Sequence, residues 1–151
     1  MATLLTGQVL SGRYAIQRRL GQGGMAVVYH ALDDRTGRPV AIKTLNATSA
    51  HDPDCLQRFT IEAQVAARLD HPNITRVFDY NPDDPPFIVY EYVDGPNLKE
   101  YLRQSGPLSV ESTVAVMDQI AAALDHAHRA GVIHRDIKPQ NVLISFPDAS
   151  T

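Results

Sequence analysis

His134-Arg135-Asp136-Ile137-Lys138-Pro139-Gln140-Asn141 sets an imidazole, a guanidinium, a carboxylate, an ammonium and a carboxamide within one short stretch, with a proline stiffening its middle. An apolar helical run precedes it, and Val142-Leu143-Ile144, which reads as an apolar strand, follows. Polar groups this dense between two hydrophobic elements are not expected to turn away into water together. The pattern predicts a loop that aims them at one place. The plain alternative is a polar surface loop, and the residues upstream decide between the two.

Upstream, the chain punctuates itself clearly. Residues 14–20 alternate apolar and polar side chains and read as a strand; Gly21-Gln22-Gly23-Gly24 breaks it, and residues 27–32 resume a strand rich in β-branched residues. The polar turn Asp33-Asp34-Arg35-Thr36-Gly37-Arg38 leads to a third strand over 39–45, so a small antiparallel sheet is expected. Asp52-Pro53-Asp54 is a helix start, a cap followed by proline at the first helical position. Leu56, Phe59, Ala63, Ala66 and Leu69 then recur near helical spacing, and Glu62 shares their side, where a charge needs a partner. Residues 74–80 and 87–92 read as a fourth and a fifth strand.

Val93-Asp94-Gly95-Pro96 reads as a connection, and beyond it strands give way to helices over about 97–104 and 110–129. In the longer helix Val114, Met117, Ile120, Ala121 and Leu124 form a stripe that Val116 and Ala123 widen, a pattern normally buried on most sides; Gly131 stops it. No internal repeat or low-complexity segment interrupts the chain.

Composition narrows the function classes. A length of 151 residues suits one domain with a real core, and a formal charge of −3 with interspersed signs points to neither nucleic-acid nor membrane binding. The single cysteine, Cys55, precludes an internal disulfide or a cysteine-based zinc cluster. The apolar runs are short of a membrane span, and the first ten residues lack the pattern of a signal peptide, so the default expectation is a soluble cytoplasmic protein.

Three further stretches carry chemistry. Gly21-x-Gly23-x-x-Ala26-x-Val28 lets backbone N–H groups approach phosphates unobstructed. Read alone it also begins like a dinucleotide-binding fingerprint, but that motif needs a helix after the glycines and an acidic residue about 20 positions on, where this chain has a strand and Lys43. Val40-Ala41-Ile42-Lys43 puts Lys43 and Ala41 on one strand face, with Glu62 the candidate partner for the lysine. Ile88-Val89-Tyr90-Glu91-Tyr92-Val93 leads into the connection.

With the octet, these motifs resemble protein kinases of the eukaryotic type, in the right order from Tyr14 to Ile144: the glycine-rich loop (with alanine at its third glycine), V-A-I-K, and H-R-D-x-x-x-x-N. Lys138 two residues after Asp136 is the serine/threonine form, and Gly23-Gly24-Met25-Ala26 and Glu91-Tyr92-Val93-Asp94-Gly95 are most similar to the bacterial serine/threonine kinases. The resemblance implies an α+β protein-kinase-like fold: an extension over 1–13, an N-lobe over 14–92 with a five-stranded antiparallel sheet and one helix, a hinge over 93–96, and a partial helical C-lobe over 97–151.

It also implies ATP and Mg2+, with protein serine and threonine hydroxyls as acceptors. Asp136 would take the hydroxyl proton, Lys138 would steady the γ-phosphate, and Asn141 would hold magnesium. Gly21, Gly23, Lys43 and Glu62 would serve the phosphates; Leu20, Val28, Ala41 and Leu143 would sandwich adenine, with the backbone of Glu91 and Val93 bonding the base and Tyr90 at the back of the pocket. Arg135 would pair with a phosphate on an activation loop. Autophosphorylation within a homodimer is a further implication, as is the absence of nucleic-acid or membrane contact within the segment.

After Ile144 the sequence reads Ser145-Phe146-Pro147-Asp148-Ala149-Ser150-Thr151, and Asp-Phe-Gly occurs nowhere. The expectation is the front part of a kinase, a fragment or a truncated gene product. By itself it would transfer phosphate poorly or not at all and would expose an apolar helix face. An ATP-binding regulatory fragment without catalysis is the competing reading. Elsewhere, His126, His128 and His134 read as packing or surface residues rather than metal ligands, and Cys55 as a half-exposed thiol. The pairs Asp33-Asp34 and Asp83-Asp84 read as solvated turn acids.

Overall fold

The computed structural model describes residue 4 and residues 6–146; the expectations that fall on residues 1–3, 5 and 147–151, Asp148 among them, lie outside the described residues. Packing divides the chain into two units. One comprises the chain up to Asp70 together with Thr75–Tyr92, the other His71–Ile74 together with the chain from Val93.

The first unit is a sheet and a helix. Strands β1 (Val9–Leu10), β2 (Tyr14–Gln22), β3 (Ala26–Asp33), β4 (Arg38–Leu45), β5 (Val77–Asn81) and β6 (Phe87–Glu91) lie in the order β1-β2-β3-β4-β6-β5. Every neighbouring pair is antiparallel. The sheet has six strands rather than the expected five. The extra strand, β1, sits in the stretch expected to be an extension, joined to β2 by a tight turn. Ser11 (φ 50°) and Gly12 (φ 60°) are both left-handed there, and the Arg13 N–H donates to the Leu10 carbonyl at 3.0 Å. β5 begins at Val77 rather than at residue 74.

The two faces of the sheet carry different loads. One gathers Tyr14, Ile16, Tyr29, Ala31, Val40, Ile42, Phe87 and Val89 into a core, with the Tyr14 and Phe87 rings edge to face at 5.8 Å. The Tyr14 hydroxyl donates to Asp79 at 2.8 Å, although β2 and β5 stand second and sixth in the strand order. In a flat sheet those strands would be roughly 19 Å apart. The sheet is therefore curled around this core until its far strands meet. The other face receives helix α1 (Pro53–Ala66), which buries Phe59 and Ala63 against Leu45 and Ile88. The expected cap is present: the Asp52 side chain accepts from the Asp54 N–H at 2.9 Å, with Pro53 opening the helix.

Asp33 is not the solvated turn acid that its position suggested. It is only 4% exposed and forms a two-pronged pair with Arg13, Nε to Oδ1 and Nη2 to Oδ2, both at 2.8 Å. Thr36 Oγ1 and the Arg35 N–H donate to it as well, at 2.8 and 3.1 Å. The remaining Arg13 nitrogen, Nη1, reaches Asp79 at 3.3 Å. The reason is register: Asp33 ends β3 opposite Tyr14, so it points into the closure of the curled sheet.

In the second unit, helix α2 (Leu98–Ser105) begins with a reciprocal cap between Asn97 and Glu100, and α3 (Val110–Arg129) begins with the Ser109 side chain accepting from the Ser112 N–H. Gly131, at φ 76°, ends α3 as expected. The apolar stripe of α3 is largely uncovered: Val114 and Met117 are 54% and 55% exposed, and Ala127 is the one buried residue described in the helix. The strand expected at 142–144 is instead a single bridge, Asn97 to Leu143, flanked by Leu98 N–H to Val142 O (2.7 Å) and Ile144 N–H to Pro96 O (2.9 Å). Its partner segment turns at once into α2, so no ladder can continue.

The Arg13 guanidinium holds the Asp33 carboxyl well below the usual carboxylate range. A depressed folded pKa contributes stability that is complete above the ordinary carboxylate value and lost as pH falls below it. Asp33→Asn is therefore expected to lower the thermal midpoint clearly at pH 7, with the gap to the parent beginning to narrow below about pH 5 and still narrowing below about pH 3. Thermal melts of both proteins across that range check the sign.

Candidate functional site

Register builds the site of the first unit. Lys43 lies opposite Val28 on β3 and Ile88 on β6, and Ala41 lies opposite His30 and Tyr90. Side chains of directly paired residues share a face, so Val28, Ala41, Lys43 and Tyr90 stand on the α1 side of the sheet. There Lys43 Nζ meets Glu62 Oε1 at 2.6 Å, and the Tyr90 hydroxyl donates to the same oxygen at 2.7 Å. The expected lysine–glutamate pair is thus present, with side chains 25% and 35% exposed. Tyr90 is a second partner that sequence reasoning missed. Burial, and then the charge of Glu62, push its phenol far above the ordinary tyrosine range. An aromatic strand residue reads as core; only the cross-strand register shows that its hydroxyl reaches the helix.

The glycine stretch is the tip of the β2–β3 hairpin, closed by the Gly23 N–H donating to the Ala26 carbonyl at 2.8 Å. Gly21, Gly23 and Gly24 are not left-handed. A Cβ at Gly21 or Gly24 would meet nothing within 4 Å, and one at Gly23 only Ala26 O at 3.8 Å. Neither backbone conformation nor packing inside this chain demands glycine there. Ala26, standing where the motif has its third glycine, is buried and pairs with Leu45. Leu20 sits at a register irregularity between Arg19 and Gly21 and is partly exposed. The N–H of Glu91 donates to the Arg76 carbonyl at 2.8 Å.

The second unit holds both Val93 and the octet. Residues 134–141 are all exposed, contrary to the expectation that they could not face water together. The loop is held by its own bonds instead. The Asp136 N–H donates to His134 Nδ1 at 3.2 Å across a left-handed Arg135 (φ 66°), a strained position for a residue with a Cβ. Lys138 Nζ contacts Asp136 Oδ2 at 2.9 Å. Asn141 Nδ2 donates to the Asp136 carbonyl at 2.9 Å and to Oδ2 at 3.2 Å. Asp136, Lys138 and Asn141 are therefore brought together. The Lys138 ammonium keeps the Asp136 carboxyl below its usual range, with help from Asn141.

Pro139–Asn141 forms a 3-10 turn, and the chain then passes Leu143, itself nearly half exposed, to reach Ile144. A Cβ at Gly95 would collide with the Ile144 carbonyl oxygen. Among the described residues, no group of three or more His, Cys, Asp or Glu is placed to hold a metal. The Asn141 carboxamide, its nitrogen on Asp136, turns its oxygen away as a hard donor that suits magnesium.

Residues 14–150 match the family model described as the protein kinase domain. The chain belongs to the protein kinase family. Its relatives include the serine/threonine-protein kinase PrkC of Bacillus subtilis, 49% identical over 142 residues, covering 93% of this chain and 22% of that protein. PknA of Mycobacterium tuberculosis is 41% identical over 145 residues, covering 92% of this chain and 34% of that kinase. The crystal structure of the M. tuberculosis PknI kinase domain superposes with a TM-score of 0.81 at 35% identity, covering 95% of this chain and 58% of that one. The chain thus spans between about a fifth and a third of the length of these full-length kinases. The model of the family and the bacterial relatives agree with the reading from the motifs, and the kinase fold accounts for both units. No helix among the described residues is long and apolar enough to cross a membrane.

Among the described residues, Gly95 is the one glycine of this kinase segment at which an added Cβ would collide with another residue. Gly95→Ala is expected to displace the Ile144 backbone and break the Ile144–Pro96 hydrogen bond. The cost expected is on the order of 1–3 kcal/mol, the range for overpacking. Urea unfolding of the variant against the parent measures it.

Proposed function

We propose that the chain is the nucleotide-binding and catalytic-loop portion of an ATP-dependent protein serine/threonine kinase. The observation that carries this reading is the cluster in which Lys138 and Asn141 hold the Asp136 carboxylate ionised and oriented. A carboxylate so held, yet exposed, can accept the proton of an incoming hydroxyl. Lys138 is close enough to offset charge as it shifts toward the γ-phosphate, and Lys138 rather than another residue type favours serine and threonine acceptors. The Asn141 oxygen would hold a magnesium ion, which when bound neutralises phosphate charge.

In the same reading Lys43, oriented by Glu62, contacts the α- and β-phosphates. Gly21 and Gly23 let the hairpin backbone come close to the nucleotide, a use consistent with glycines that nothing inside the chain requires. Leu20, Val28, Ala41 and Leu143 contact the adenine ring, and the Glu91 carbonyl and Val93 backbone bond its edge. The partners are serine- or threonine-bearing proteins, including a second copy of this kinase, met in the cytoplasm where ATP is supplied.

Calorimetric titration with MgATP tests the reading. The 151-residue chain is expected to bind MgATP and not NAD, and Lys43→Ala to weaken binding at least about ten-fold. Asp136→Asn should leave the affinity within about two-fold, because Asp136 acts on the hydroxyl and not on the nucleotide. Absence of ATP binding by the parent chain would overturn the proposal.

A further inference from the structure

Asn46, the residue after β4, uses every polar group it has. Its side-chain Nδ2 donates to the Gly24 carbonyl at 2.7 Å, and its backbone N–H to the Met25 carbonyl at 2.9 Å. Its Oδ1 accepts from the Ser49 N–H at 2.9 Å, and its carbonyl from the Ala50 N–H at 2.9 Å. Two of these bonds hold the tip of the glycine hairpin, and two hold the 3-10 turn (Ser49–His51) that leads into α1, the helix carrying Glu62. Met25 and Ala50 both pack on the cluster of Leu45, Phe59, Ala63 and Ile88, so the same junction is joined by apolar contact.

We infer that Asn46 is a positioning residue that fixes the glycine hairpin to the base of α1. In the hairpin tip, Gly23-Gly24-Met25, only Met25 has a side chain to pack, and the two glycines lose the most backbone freedom on being ordered. The Nδ2 bond to Gly24 is the one described side-chain bond that ends on this tip. Movement of α1, and with it Glu62, is transmitted through Asn46 to the height of the hairpin. The effect on ligand binding rests on the reading of this hairpin as a nucleotide cover.

The discriminating variant is Asn46→Asp, which keeps the shape and the acceptor for Ser49 but cannot donate to Gly24, whose carbonyl it repels. Hydrogen exchange without nucleotide is expected to speed up at the Gly23 amide, which bonds Ala26 O in the closed tip, by about five-fold or more. MgATP affinity is expected to fall about three- to ten-fold, the size of effect of one lost hydrogen bond, with only a small drop in the thermal midpoint. Asn46→Ala, which also loses the Ser49 bond, should weaken ATP binding no more than Asn46→Asp while melting lower. A purely structural role predicts the opposite, an Asp variant that behaves as the parent in both exchange and affinity, and that result overturns the inference. If the parent chain binds no ATP, the kinase reading fails, and the exchange rates still decide whether Asn46 holds the tip.

Discussion

A carboxylate on the sheet-facing side of α1 is the constraint around which the first unit is arranged. Glu62 is only about one-third exposed, and a charge in that position is costly unless donors meet it. Lys43 from β4 and Tyr90 from β6 meet it at a single oxygen. That convergence has strict requirements. Phe59 and Ala63 must seat α1 against Leu45 and Ile88, and the β4–β6 register must place Ala41 opposite Tyr90. A slip of one residue would send Lys43 or Tyr90 to the other face. Hydrophobic burial supplies the energy, and the polar triad selects one arrangement.

The opposite face solves a different problem. Its core closes only because the sheet curls until β2 and β5 approach, and the polar groups at that closure, Arg13, Asp33, Asp79 and the Tyr14 hydroxyl, satisfy one another. Arg13 also lies over the Tyr14 ring, its guanidinium carbon 4.8 Å from the centroid. The curl thus ends in a polar seam rather than in an open apolar edge. The loop of residues 134–141 in the second unit follows neither pattern. With all eight residues exposed, it draws order from short-range bonds: His134 to the Asp136 amide, Lys138 to its carboxylate, and Asn141 to both its carbonyl and its carboxylate. Such a loop is ordered without being buried, which leaves the Asp136 carboxylate open to solvent.

Much of this was legible in one dimension. Alternation marked the main strands, Asp52-Pro53 marked the start of α1, and Gly131 marked the end of α3. These signals are local: they depend on the chemistry of a residue and its near neighbours. The misreadings were non-local. β1 is two residues long and carries no period. Residues 142–144 have a strand's composition but no partner long enough to make a ladder. Asp33 looks like any turn acid until Arg13 arrives from the β1–β2 turn.

The sequence by itself determined the family, the order of the elements and the identity of the chemical groups, because spaced motifs are written directly in the residues. Only the tertiary structure decided which atoms meet. That Tyr90 and Lys43 share one Glu62 oxygen, that Asn46 joins the hairpin tip to the base of α1, and that Asp33 is buried all follow from register and sheet curvature. Those are set by the summed packing of residues far apart in the chain, and no local pattern carries them.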